Sequence, residues 1–523
     1  MLHARMTSSR RSRPTAPPRR STPSDATTLP AEAVAAPAVF PSWREIADPR
    51  GPYLVPLLLL LTGRVALWMF TRAPAEDAFI TFRYARNLAS GHGLVYNPGE
   101  HVMGFTSPLW TLWSALGAFL LKDPVTWGRA SGIAADVVTL LVGGQLLART
   151  LSRASAWTFT FFFAAWPYFA AVGVSGMEMS LAMALIVTSA ALVSARSVLA
   201  GPALAALALT RPEGVAAALV IALGASWRDR AIAAGLFALA VGALALQFGN
   251  PIPNSLLAKA HVYGTPGPWA GRHWWEWLSP VVLGRWPGIG DTALMIPLTI
   301  VMAAAFAVGV RELWHRRDTA IAHAAGAALA IWLGYSLVGA AYFWWYLSLP
   351  LLGVTLCAAA GFPRIVRGAA LPVSVALLVL SVWTLARQLY IGRSDQESLI
   401  YGYVARQLAL RCKPGDSVLL EPIGIVGYTA PVRVIDETGL VSPEVARRRL
   451  AGPGWYTDVV AERKPDWLVV RQSMLQSAEA FAGAGQPFRN PAERDSIEAR
   501  YHIAARSTSE GSTDAMLLMK RLR

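Results

Sequence analysis

Long apolar runs alternate with short polar breaks from about residue 52 to residue 388. A helix needs about 20 residues to cross the hydrocarbon core of a bilayer. About eleven runs approach that length: 52–71, 126–149, 155–174, 178–196, 198–211, 213–226, 231–248, 292–310, 319–340, 342–361 and 369–388. The pair 198–211 and 213–226 is short and predicts segments that dip in and back. The run 107–121 is also short and is expected to lie along the outer surface. Beyond residue 389 the pattern changes. Residues 395–411 have helical periodicity that stops at Lys413-Pro414-Gly415. Short β-like runs follow at 417–420, 425–428, 432–435, 467–470 and 516–519.

The predicted fold is therefore mainly α: a polytopic membrane protein with a small C-terminal α/β domain. Three parts are expected. Residues 1–50, rich in Arg, Pro and Ser, read as a disordered basic cytoplasmic tail. Residues 51–388 form the transmembrane module, with outer loops at 72–125 and 249–291. Residues 389–523 form the extracytoplasmic domain. Basic residues orient the chain. Arg149 and Arg153, Arg196, Arg228 and Arg230, Arg311, Arg316 and Arg317, and Arg364 and Arg367 all fall on the side of the N-terminal tail, which the positive-inside rule makes cytoplasmic. The first long apolar run begins only near Pro52, which argues against a cleaved leader.

Composition fits the same picture. Of 523 residues, 54% are hydrophobic and only 15% charged, too few charges for a large soluble surface. The net charge of +15 does not point to nucleic acid, because the arginines sit in the tail and the short loops. Two cysteines exclude a disulfide framework and a Cys-rich metal site.

The first outer loop carries the most chemistry. Glu76 and Asp77 open a helix that continues through Phe-Arg-Tyr at 82–84 and stops at Gly91. Both acids sit where the helix dipole favours negative charge, so they are either caps or catalytic carboxylates. Arg83 and Arg86, three apart, share one helix face. Arg211 interrupts an apolar stretch beside Pro212. An unpaired charge there is costly, which marks it as a functional group or as the partner of Glu213. Glu178 opens another helix and is either a cap, an acceptor contact or a metal ligand. Lys259 is placed to snorkel to the interface, and the aromatic run holding Trp345 and Tyr346 suits an interfacial belt.

The motifs occur in a recognisable order: Glu-Asp at 76–77, Gly-x-Gly-Leu-Val-Tyr-Asn-Pro-Gly-Glu at 91–100, Gly-Phe-Thr-Ser-Pro-Leu-Trp at 104–110, Ser-Gly-Met-Glu at 175–178, Arg-Pro-Glu-Gly at 211–214, Asn-Pro-Ile-Pro-Asn-Ser at 250–255 and Asp-Glu-Thr-Gly-Leu at 436–440. Together they resemble the GT-C superfamily of membrane glycosyltransferases. Within it, they are most similar to the mycobacterial terminal arabinofuranosyltransferases and their bacterial relatives. The resemblance implies a bacterial inner-membrane protein that uses a polyprenyl-phosphate sugar as donor and a cell-envelope glycan or glycolipid hydroxyl as acceptor, with inversion on the outer face. It makes an acid of the first loop the base, Asp77 before Glu76, where the family often has Asp-Asp. Arg211, Lys259, Arg83 and Arg86 become donor-phosphate ligands, and Glu178, Asn254, Trp345, Tyr346 and His101 contacts for acceptor or sugar. A divalent cation is left open, to be held by Glu76, Asp77 and Glu178 if they converge. The rival classes are a flippase for lipid-linked sugars and a non-catalytic scaffold for envelope assembly.

Overall fold

The computed structural model describes residues 38–71, 74–262, 295–338, 340, 341, 343–366, 386, 396–476, 486–507 and 515–522. The basic tail up to residue 37, nearly all of the expected run 369–388 and most of the second outer loop lie outside these. Residues 38–523 form one unit in which helices come first and a five-stranded sheet last.

Four described helices are long and apolar enough to cross a membrane: Pro124–Thr150, Trp227–Phe248, Ala320–Val338 and Trp344–Ile365. Leu54–Phe70, Pro108–Leu121, Met179–Ser194 and Ala200–Thr210 are apolar but shorter. These helices make the chain an integral membrane protein; four of the eleven expected runs coincide with helices of that length among the described residues. One expected run, 155–174, is two helices, Arg153–Ala165 and Pro167–Gly173. Pro167 has no N–H to give the Phe163 carbonyl, so the helix breaks there.

Burial explains how that break is tolerated. Arg64, fully buried, donates from Nε to Asp136 Oδ2 at 2.6 Å, from Nη1 to Ala164 O at 3.2 Å and from Nη2 to Phe163 O at 3.5 Å. The guanidinium thus meets the two carbonyls freed at the break, and the Asp136 carboxylate neutralises it. In an apolar bundle a charge survives only with such partners. At the other end of the chain, helices Met295–Trp314 and Ser348–Ile365 touch backbone to backbone. A Cβ on Gly309 would run into the Cys357 carbonyl and one on Gly361 into the Ala305 carbonyl. Small residues at such a crossing let dispersion forces hold two apolar helices together.

The sheet has the order β2-β1-β3-β5-β4, where β1 is Ser417–Leu420, β2 Arg433–Asp436, β3 Trp467–Arg471, β4 Tyr501–Arg506 and β5 Met516–Arg521. β1 pairs parallel with β2 and β3; β5 pairs antiparallel with β3 and β4. The expected strand at 425–428 is instead part of helix Gly424–Thr429, the crossover that two parallel strands require. Four of the five expected strand runs are strands. Strand β4 was not expected, because its burial pattern leaves it mostly exposed.

Two groups of contacts lock the sheet to the helices. Arg83, on helix Ala78–Ala89, donates from Nε to Tyr96 O at 2.8 Å, from Nη1 to Gly427 O at 2.5 Å and from Nη2 to Val432 O at 2.7 Å and Asn97 Oδ1 at 3.1 Å. Asn254 Nδ2 donates to Gly439 O at 2.7 Å and Leu440 O at 2.8 Å.

Candidate active site

Where the sheet meets the helices, a cavity opens. Its walls come from segments far apart in sequence. They include Asp77 and Thr81, Gly104 to Ser107, Met177 and Glu178, Arg211, Ser255 and Lys259, Trp345 and Tyr346, and Leu440 of the sheet portion. Six of the motifs read from the sequence therefore face one space.

The carboxylates have a common placement. Asp77, Glu178 and Glu213 each occupy the N-cap position of a helix: Ala78–Ala89, Met179–Ser194 and Gly214–Ala222. None of the three makes a side-chain cap hydrogen bond. Each turns to a cation instead. Asp77 Oδ2 lies 3.5 Å from Lys259 Nζ. The buried Arg211 guanidinium is bonded to Glu178 through Nη1 and to Glu213 through Nε. The capping alternative for Asp77 and Glu178 is therefore absent from the structure, while the helix dipoles still favour charge at these points.

Aromatic rings complete the setting. Arg211 stacks 4.7 Å over Tyr346, and Lys259 lies 4.7 Å over Phe343. Tyr335, stacked on Tyr346 at 5.5 Å, donates its hydroxyl to Glu213. Ser255 is 2% exposed, and its Oγ has no partner among the described residues. It sits one helical turn before Lys259, on the same face. Tyr335, Glu213 and Ser255 were not singled out as site residues. Glu213 and Ser255 lay inside quoted motifs, but nothing in the sequence signals Tyr335.

The remaining candidates go elsewhere. Glu76 turns away from the cavity, and its Oε1 accepts from Ile425 N at 3.0 Å at the start of helix Gly424–Thr429. There is no room for a side chain at Gly424, since its Cβ would collide with the Glu76 carbonyl. Burial, and then the Asp77 carboxylate, push the Glu76 carboxyl well above the usual carboxylate range, against the pull of the Ile425 and Gly424 N–H groups. Arg83, expected at the phosphate, is a correction. Four of its five N–H donors are spent on carbonyls and on Asn97, so it clamps the sheet. Arg86 stacks 4.3 Å over Tyr428 and is likewise outside the cavity lining. Asn254 is the second clamp, and exposed His101 meets Gln247 at 3.1 Å. Glu76, Asp77 and Glu178 do not converge on a cation position. Among the described residues no group of three His, Cys, Asp or Glu is placed to hold a metal.

The Asp-Glu-Thr-Gly-Leu motif shapes one wall. Buried Asp436 accepts from Thr438 N at 2.8 Å and Val441 N at 3.1 Å, folding the loop so that Leu440 faces the cavity. Burial raises this carboxyl to about 6, although those N–H groups pull it down.

Residues 389–517 match a family model described as a domain of unknown function (DUF8728). No curated protein matches the chain. Among solved structures, ArnT from Cupriavidus metallidurans in the apo state is similar over 88% of this chain and 97% of its own, with 12% identity and a TM-score of 0.50. An oligosaccharyltransferase from Archaeoglobus fulgidus, solved with zinc and sulfate, is similar over 87% of this chain and 72% of its own, again with 12% identity and a TM-score of 0.50. The likeness is one of fold.

Proposed function

We propose that the chain is a glycosyltransferase that moves a sugar from a polyprenyl-phosphate donor to a hydroxyl of a cell-envelope glycan or glycolipid. The observation that carries this reading is the shared cavity of Asp77, Lys259, Arg211 and Glu178. The motif resemblance favours arabinofuranose as the sugar and the outer face of the bacterial inner membrane as the place of reaction.

Asp77 is the general base. It takes the proton of the acceptor hydroxyl, whose oxygen attacks the anomeric carbon from the face opposite the phosphate. The bond from that carbon to the phosphate oxygen breaks, and polyprenyl phosphate leaves with the electron pair. One displacement inverts the centre. The leaving group is already an anion, so cations rather than an acid carry the departure.

Lys259 is the cation best placed to steady the phosphate. Its contact with Asp77 is long, at 3.5 Å, and both side chains keep partial access, 20% and 26% exposed. Arg211 is held by two carboxylates and acts chiefly by fixing Glu178, whose oxygens are suited to accept sugar hydroxyls. Tyr346 and Trp345 supply apolar faces for a sugar ring or prenyl chain. Glu76, Arg83 and Asn254 act at one remove, by holding the sheet against the cavity.

The test is transfer by the purified full-length chain from a panel of polyprenyl-phosphate sugars to envelope glycans. One member of the panel is expected to be turned over by the wild type and not by Asp77→Asn. Equal turnover in both would remove the proposed base. No turnover of any donor, by a chain that is folded, would remove the transferase reading.

A further inference from the structure

A second cluster of polar side chains stands at the carboxyl edge of the parallel strands. The order β2-β1-β3 makes the chain leave β1 toward β2 and then cross back past β1 to β3. Helix Gly424–Thr429 packs on one face of the sheet with Val418 and Leu420, whereas Trp455 and Tyr456 pack on the other with Leu419 and Ile435. Connections that diverge in this way open a crevice outside the carboxyl ends of the strands, the usual ligand position in such sheets.

Glu421 follows β1, Glu437 follows β2 and Gln472 follows β3. Leu419, Ile435 and Val470 point to the Tyr456 face, and strand alternation sends the residues two further on to that face as well. Helix Trp455–Arg463 leads back into β3, so its first turn, with Tyr456, stands over the same edge. Arg449 ties the parts together. Its Nη1 donates to Glu437 O at 2.9 Å, and its guanidinium stacks 4.7 Å over Trp455. Three oxygens here have no hydrogen-bond partner among the described residues: Glu437 Oε1, Gln472 Oε1 and the hydroxyl of Tyr456. Tyr456 is 0% exposed. Burial first, and the Glu437 carboxylate after it, push the Tyr456 phenol well above its usual value. Native proteins rarely leave such groups unmet unless something else meets them.

We propose that this edge is a binding subsite for the hydroxyl groups of the acceptor glycan. Glu437 and Gln472 accept from sugar hydroxyls, and Tyr456 donates to a sugar oxygen. Leu440, three residues beyond Glu437, lines the main cavity, so one loop joins the two places. The identity of the ligand as acceptor rests on the transferase reading; the subsite itself does not.

Calorimetry on the full-length chain, with short arabinan, mannan and glucan oligosaccharides, tests the subsite. One of the three is expected to bind the wild type. Tyr456→Phe and Glu437→Ala are each expected to weaken that binding about tenfold, the loss of one good hydrogen bond. The melting temperature of Tyr456→Phe should not fall, because the hydroxyl it removes has no partner among the described residues. Equal affinity in all three proteins, or no binding of any oligosaccharide, overturns the subsite. Binding that is lost in the variants, by a chain that transfers nothing, leaves the subsite standing and overturns the transferase. Transfer with unchanged affinity in the variants does the reverse.

Discussion

Glu76 and Asp77 are neighbours in sequence, yet their substitutions should have opposite consequences. Asp77→Asn removes a carboxylate that faces the cavity and meets Lys259 at 3.5 Å, with both groups partly exposed. A pair of that kind contributes about 0–1 kcal/mol, so folding should survive. Loss of a positioned general base costs about 10²- to 10⁴-fold in rate. Glu76→Gln keeps an oxygen for the Ile425 N–H and removes a carboxyl whose ionised form burial disfavours. Its melting temperature should be unchanged or higher, with transfer retained. Glu76→Ala instead leaves the start of helix Gly424–Thr429 uncapped and should cost about 1–2 kcal/mol. The assay is release of labelled sugar from a polyprenyl-phosphate donor, paired with thermal melts of the same preparations. Asp77→Asn working at more than a tenth of the wild-type rate, or Glu76→Gln as dead as Asp77→Asn, would refute the division of roles.

Three further outcomes follow from the structure. Arg64→Met leaves Asp136 buried and unpaired and should destabilise by about 3–5 kcal/mol; Arg64→Met/Asp136→Leu should recover part of that in the melting temperature. Arg83→Met orphans several buried acceptors and should cost about 3 kcal/mol or more, read as easier proteolytic release of the region after residue 396. A higher donor KM with normal protease resistance would return Arg83 to the phosphate. Asp436 is raised to about 6 from an unfolded value of 3.8, so the stability it contributes is greatest at low pH and is lost as pH rises through about 6. The loss amounts to about 3 kcal/mol. Asp436→Asn should flatten the melting profile between pH 4 and pH 7.

The helical character, the sheet and the cavity residues Asp77, Glu178, Arg211 and Lys259 were all legible, because periodicity and local motifs carry them. What was not legible depended on distant contacts. Glu76 is drawn out of the cavity by Ile425, 349 positions away. Arg83 looked free because its partners Gly427 and Val432 lie 344 and 349 positions on. A helix face shows which side chains travel together, not what they meet. The run at 425–428 is too short for periodicity to separate strand from helix. Helix Gly424–Thr429 is fixed by the parallel pairing of β1 with β2, which no local pattern encodes. Pro167 was visible, but the arginine that makes its break tolerable sits 103 positions earlier.

The cavity borrows Leu440 from the last quarter of the polypeptide, and Arg83 and Asn254 wait on carbonyls made equally late. During synthesis, the helices must therefore stand in the bilayer with their future chamber missing a side. Only a chain that has delivered its final segment to the same surface closes that chamber. A ribosome that stalls early leaves a helical bundle with an open flank.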